Sequence, residues 1–165
     1  MWACSILLMK RGLWMNIFAK KKTPLTSILR NTELFSHLKN KDIERLFQIG
    51  HVRQYDSNEI IFNQGEPSFG TYVILEGSVE IFWKNKKSEE HISSFDSGEF
   101  FGELSLVANN KRTASARSVG NTTLFYIYSK DLRNYFLRNP LLGMSVYEKM
   151  LSIMSKRLEI LGSEV

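Results

Sequence analysis

Gly102 and Glu103, followed nine residues later by Arg112, are the residues in this sequence whose types and spacing suit chemistry on a ligand. They lie in the run Phe100-Phe101-Gly102-Glu103-Leu104-Ser105-Leu106, which leads to Lys111-Arg112-Thr113-Ala114-Ser115. A glycine lets a ligand come close to backbone. Amides at the start of a short helix after it would face an anion, through unpaired N–H groups and the helix dipole. Arg112 supplies a planar fork matched to two phosphate oxygens. Glu103, ionised, accepts a hydrogen bond from a sugar hydroxyl. A phosphate and a ribose hydroxyl a few ångströms apart describe a nucleotide. Glu103 and Arg112 would also suit a structural ion pair, since buried arginine–carboxylate pairs are ordinary.

Several elements must hold this segment. Apolar residues at helical spacing (Leu38, Ile43, Leu46, Phe47) predict a short helix within residues 34–49, with Asn40 or Asp42 as its cap. From His51 the pattern changes to short β-branched and aromatic runs. His51 to Tyr55, Ile60 to Phe62, Thr71 to Leu75, Val79 to Trp83, His91 to Phe95, Ala114 to Ser118 and Thr122 to Tyr128 are the expected strands. Turn residues separate them: Gly65 with Pro67, Glu76-Gly77, Asn85 to Glu90, and Asp96-Ser97-Gly98. Seven or eight short strands imply a sandwich, barrel or jelly roll. Asp131 to Arg138 predicts a short helix stopped at Asn139-Pro140. A longer helix from Leu141 to Leu161 follows, with Val146, Met150, Ile153, Met154, Leu158 and Leu161 on a stripe wide enough to face a core and something else.

The bulk properties are those of one globular domain: 165 residues, 43% apolar and 24% charged. The single cysteine, Cys4, excludes an internal disulfide framework and suits a reducing, cytoplasmic setting. His37, His51 and His91 are isolated, so no metal site is expected. The apolar stretch before Lys10 is too short to span a bilayer or serve as a signal peptide. Net charge is +5, and residues 1–30 carry six basic side chains and no acid, which leaves the remainder almost neutral. That basic arm, with Trp2 and Trp14, is expected to be a solvated tail; contact with a membrane surface or with phosphates is the minor reading.

The segment resembles the cyclic-nucleotide-binding domain shared by catabolite activator proteins, regulatory subunits of cAMP-dependent kinase and cyclic-nucleotide-gated channels. Phe101-Gly102-Glu103 and Arg112-Thr113-Ala114-Ser115 match the family's signature at the expected spacing. Gly65-Glu66, Tyr72-Val73-Ile74, Gly77, Val79, Ile81 and Gly98 match its upstream frame, so the resemblance covers roughly residues 30 to 160. Lys111 stands where a proline is frequent and Phe69 where an acid is common.

The resemblance implies an eight-stranded jelly-roll β-roll with an N-terminal helix and two C-terminal helices, in a domain spanning residues 31–165 behind an arm of residues 1–30. It implies that Arg112 binds the cyclic phosphate, Glu103 the ribose 2′-hydroxyl, and amides near Ser105 and Thr113 the phosphate oxygens, with Gly102, Leu104 and Ala114 also among the binding residues. Ile81 and Phe95 would pack the base. Met150, Ile153, Met154 and Arg157 would close over it, although core filling is the default for such methionines. The expected ligand is cAMP or cGMP, with cAMP favoured and no metal. The expected function is regulatory, without catalysis. Its output passes through the last helix to an unidentified effector or to a second copy, and no DNA-binding domain is expected in the chain. The alternative is a degenerate roll that serves as an interaction or dimerisation module without nucleotide.

Overall fold

The computed structural model describes residues 25–85, 88–107 and 111–163, without the side chains of residues 107 and 160–163. The basic run at Lys20 to Lys22, Cys4, the apolar stretch from Met1 to Ala19 and the Leu161 side chain lie outside the described residues.

Six strands form one antiparallel sheet: β1 (His51–Tyr55), β2 (Ile60–Phe62), β3 (Gly70–Lys84), β4 (Glu89–Asp96), β5 (Phe100–Phe101) and β6 (Ser115–Tyr128). Their order is β1-β6-β3-β4, with β2 also paired to β6 and β5 to β3. This is the expected mainly-β roll with flanking helices, built with fewer and longer strands. Thr71 to Leu75 and Val79 to Trp83 are joined in β3, and the strand expected from Ala114 starts at Ser115 and runs on into Thr122 to Tyr128 as β6. The physical reason is at Gly77, where φ is +88° and the register shifts on both sides of Glu76. A Cβ there would sit 2.7 Å from the Asn121 carbonyl oxygen, so close approach of β6 requires glycine. The Glu76-Gly77 pair is therefore a bulge that bends a continuous strand, where a turn was expected.

The helices are α1 (residues 25–31), α2 (Asn40–Ile49), α3 (Leu104–Val107), α4 (Ser129–Arg138) and α5 (Pro140–Ser163). The expected arm–domain boundary after residue 30 falls inside α1, whose Leu29 is fully buried. Neither Asn40 nor Asp42 caps α2: Lys39 holds the N-cap position with no side-chain hydrogen bond, and Asp42 is buried, accepting from the Tyr135 hydroxyl. The segment before α2 is a turn, yet Leu34, Phe35 and Leu38 still reach the core from it. Pro140 begins α5 at a position where its missing N–H costs nothing.

Strand alternation sorts the apolar residues into two layers. Val73, Leu75, Phe125 and Ile127 face the helices and pack with Leu29, Leu46, Leu132, Phe136, Val146, Met150 and Ile153. Ile74, Val79, Ala116 and Leu124 face the interior of the roll with Phe101, flanked by Phe62, Tyr72, Ile81 and Phe95. The second layer is the floor on which the candidate site rests.

Candidate functional site

The segment singled out in the sequence begins as β5 leaves the sheet. Gly102 follows at φ +73°, and a Cβ on it would meet Arg112 Nη1 at 2.6 Å. The position therefore needs glycine twice, for backbone conformation and for room beside the arginine. The expected short helix after Gly102 is α3, described over Leu104–Val107. The Ser105 amide is turned onto the Gly102 carbonyl at 3.3 Å, and the Leu106 amide onto Glu103 at 2.8 Å.

Arg112 is held from the opposite side. Its backbone is clamped by the β2–β3 loop: Gly65 N–H donates to Arg112 O at 2.8 Å, and Arg112 N–H donates to Glu66 O at 2.8 Å. The residue is 7% exposed. Its guanidinium lies 4.1 Å from the centre of the Phe62 ring, and it donates to Gly70 O at 2.9 Å and Gly102 O at 3.4 Å. Among the described residues no carboxylate comes within 4.0 Å of it. Burial pulls its pKa below the ordinary arginine value, opposed by the phenols of Tyr72 and Tyr126 and, less, by the Glu103 carboxylate. The structural ion pair between Glu103 and Arg112 is thus not formed. Glu103 instead faces Arg157 of α5, with Arg157 Nη1 3.9 Å from its carboxylate. Arg157 also donates to Phe100 O at 3.0 Å and lies over the rings of Phe95 and Phe100.

Between these groups lies a cavity of about 570 Å³, inside the range of sites for small molecules. The structure brings Ile81, Phe95, Gly102, Glu103, Leu104, Arg112, Thr113, Ala114, Met154 and Arg157 together on its wall. Ser105 is not on it: the hydroxyl is buried and donates to Gly102 O at 2.9 Å. Ile153 is also elsewhere, 4% exposed in the helix-facing core, as is Met150. Successive helical residues are separated by about 100°, so Met154 and Arg157 face the cavity while Ile153 turns away. The sequence reading missed Phe62, Ser68, Ile92, Ser93, Ser94, Glu99 and Phe101 as lining residues. Alternation along the strand holding Phe95 was the available signal for Ser93. Nothing local marked Phe62, which meets Arg112 from 50 positions away. Among the described residues no His, Cys, Asp or Glu cluster suits a metal ion, and no helix is long and apolar enough to cross a membrane.

A protein of Rhodopseudomonas palustris named as a potassium channel protein is 32% identical over 120 residues, covering 73% of this chain and 29% of its own length. The cAMP-dependent protein kinase type II regulatory subunit of Drosophila melanogaster is 31% identical over 120 residues, covering 73% of this chain and 32% of its own. This chain therefore spans less than a third of either relative. The crystal structure of the Thermus thermophilus catabolite activator protein matches with a TM-score of 0.70 and 26% identity, over 81% of this chain and 61% of that one. The family model of the cyclic nucleotide-binding domain matches residues 52–139, a span that contains both Arg112 and the loop that clamps it. The protein thus belongs to the cyclic nucleotide-binding domain family.

Proposed function

We propose that this domain binds a cyclic purine nucleotide, cAMP in preference to cGMP, and reports occupancy through its C-terminal helices without catalysing a reaction. One observation carries the reading: Arg112 is buried against carbonyl oxygens and an aromatic ring, and among the described residues no carboxylate is in contact with it, Glu103 acting on it only from beyond ion-pair distance. A desolvated cation of this kind is costly unless an anion completes it, and the cavity opens onto it. In this reading Arg112 takes the cyclic phosphate, Glu103 accepts from the ribose 2′-hydroxyl, and amides around Ser105 and Thr113 turn to the phosphate oxygens. Ile81, Ile92 and Phe95 pack the base. Their apolar surface favours adenine, because guanine replaces the 6-amine by a carbonyl and adds an N1–H and a 2-amine, more polar groups that need partners.

The output rests on α5. Met154, Arg157 and Leu158 line the cavity, so occupancy bears directly on this helix. Arg157 links it to Glu103, and a ribose at Glu103 shifts the population of helix positions. Leu141, Met144, Leu151 and Leu158 are exposed and recur at spacings of three and seven, which suits a helical partner: a second copy or an effector. That exposed stripe equally favours the alternative, a roll retained as an interaction module. The sensor reading places the domain in the cytoplasm, where such nucleotides are made.

Isothermal titration calorimetry with cAMP and then cGMP tests the proposal. Micromolar or tighter binding that Arg112→Ala removes is the expected result. No heat from either nucleotide would leave the interaction module as the function.

A further inference from the structure

The Gly102 carbonyl is unusually crowded with donors. It accepts from Ser105 Oγ at 2.9 Å, Thr71 Oγ1 at 3.3 Å, the Ser105 amide at 3.3 Å and Arg112 Nη1 at 3.4 Å. An anionic oxygen at Arg112 competes with this neutral carbonyl for the last two, because charge-assisted hydrogen bonds are the stronger. Any shift of the carbonyl is felt by the Ser105 hydroxyl. That hydroxyl is itself the acceptor for Ser129 Oγ at 2.9 Å.

Ser129 is the first residue of α4. A serine near a helix start ordinarily caps its own first turn; this one sends its hydroxyl to the cassette. Its amide donates to Phe69 O at 2.8 Å, next to Gly70, whose carbonyl takes the other arm of Arg112. The start of α4 is therefore bonded to both backbone stretches that hold the arginine. The network is sealed from water, with Ser105 1%, Ser129 3% and Thr71 4% exposed. α4 in turn packs on α5 through Phe136, which a Cβ on Gly143 would meet at 2.8 Å.

We propose that Ser129 is a positioning residue: through Ser105 it ties the phosphate cassette to α4, and this hydroxyl chain conveys anion capture at Arg112 to the C-terminal helices. The proposal rests on reading the cavity as a cyclic nucleotide site.

The test uses the full chain with Cys4→Ser and spin labels at Glu90→Cys on β4 and Ser152→Cys on α5, both exposed positions. The distance between labels is measured with and without saturating cAMP, beside calorimetry on the same proteins. Ser129→Ala is expected to keep affinity within about threefold while losing more than half of the nucleotide-driven change in distance. Ser129→Thr, which keeps the hydroxyl, should restore that change. Ser105→Ala should reproduce the loss from the other end of the chain and serves in its place if Ser129→Ala does not fold. The double variant should do no more than the worse single one. A full distance change in Ser129→Ala, or in Ser105→Ala as its replacement, overturns the proposal, as do additive losses in the double variant. Binding by the parent with no distance change overturns the proposal alone; no binding by the parent overturns it together with the nucleotide reading.

Discussion

Two arginines five residues apart have opposite surroundings. Arg117, on β6, donates to Glu80 at 2.6 Å and to Glu89 at 2.7 Å and lies over the Phe82 ring. His91 completes the cluster at 3.1 Å from Glu80. The hydrogen bond to Glu80 raises the Arg117 pKa and holds the Glu80 carboxyl below its usual range. Arg112, just before the same strand, is more deeply buried; among the described residues it is in contact with carbonyl oxygens, ring faces and the Tyr72 phenol but with no carboxylate, and burial lowers its pKa. The side chain is the same, so the difference lies in where the chain supplies its carboxylates. A surface cation with its own acids serves the sheet. A buried cation with no acid in contact, beside a cavity, is what the proposed capture of an external anion requires.

Mutation should sharpen that contrast. Arg112→Ala is expected to cost nucleotide binding about 3 to 5 kcal/mol, two to nearly four powers of ten in Kd. The same change should leave thermal stability equal or higher, since it removes a desolvated charge. Calorimetry and a melting curve on one preparation read both, and a matched loss of stability and affinity would place Arg112 with Arg117. Gly102→Ala comes next: a left-handed residue without glycine costs about 1 to 2 kcal/mol, and its Cβ displaces the guanidinium. We expect affinity to fall by about tenfold or more, with the far cluster unmoved. Glu103→Ala should weaken binding by about 1 to 3 kcal/mol, the range for losing a charged hydrogen bond.

The smallest effect belongs to Arg117→Ala. Binding should hold within about twofold, and stability should fall by about 1 kcal/mol, the upper end for exposed pairs, since this pair is half-buried. Its signature is the pH profile. The Glu80 pKa is lowered on folding, so its contribution is complete above the unfolded carboxyl pKa and is lost as pH falls through the lower folded value. Removing Arg117 should flatten the acid side of the stability curve; an unchanged acid limb would show that the cluster contributes nothing.

The cassette was legible in the sequence because its chemistry is local. Gly102, Glu103 and Arg112 announce themselves by residue type and spacing, and the roll announces itself through short strands between turn residues. What was not legible depends on distant pairing. Gly77 looks like a turn until β6 is seen pressing against it. Ile153 and Met154 are equally apolar neighbours, and only the position of the roll decides which of them meets the cavity. Phe62 and Ser129 carry no local mark at all, because each acts on a partner brought to it by sheet closure.

The clamp between the β2–β3 loop and Arg112 joins Gly65 and Glu66 to a residue more than forty positions later. Neither half of the domain holds the proposed anion site alone, so a proteolytic fragment that ends between them should bind no nucleotide. Ligand then bears only on the complete roll. By mass action, nucleotide at a hundred times its Kd would add about 2.7 kcal/mol to the folded state. The quantity of intact protein that survives degradation in a cell would then rise with nucleotide concentration, a response in abundance on a timescale far slower than any movement of α5.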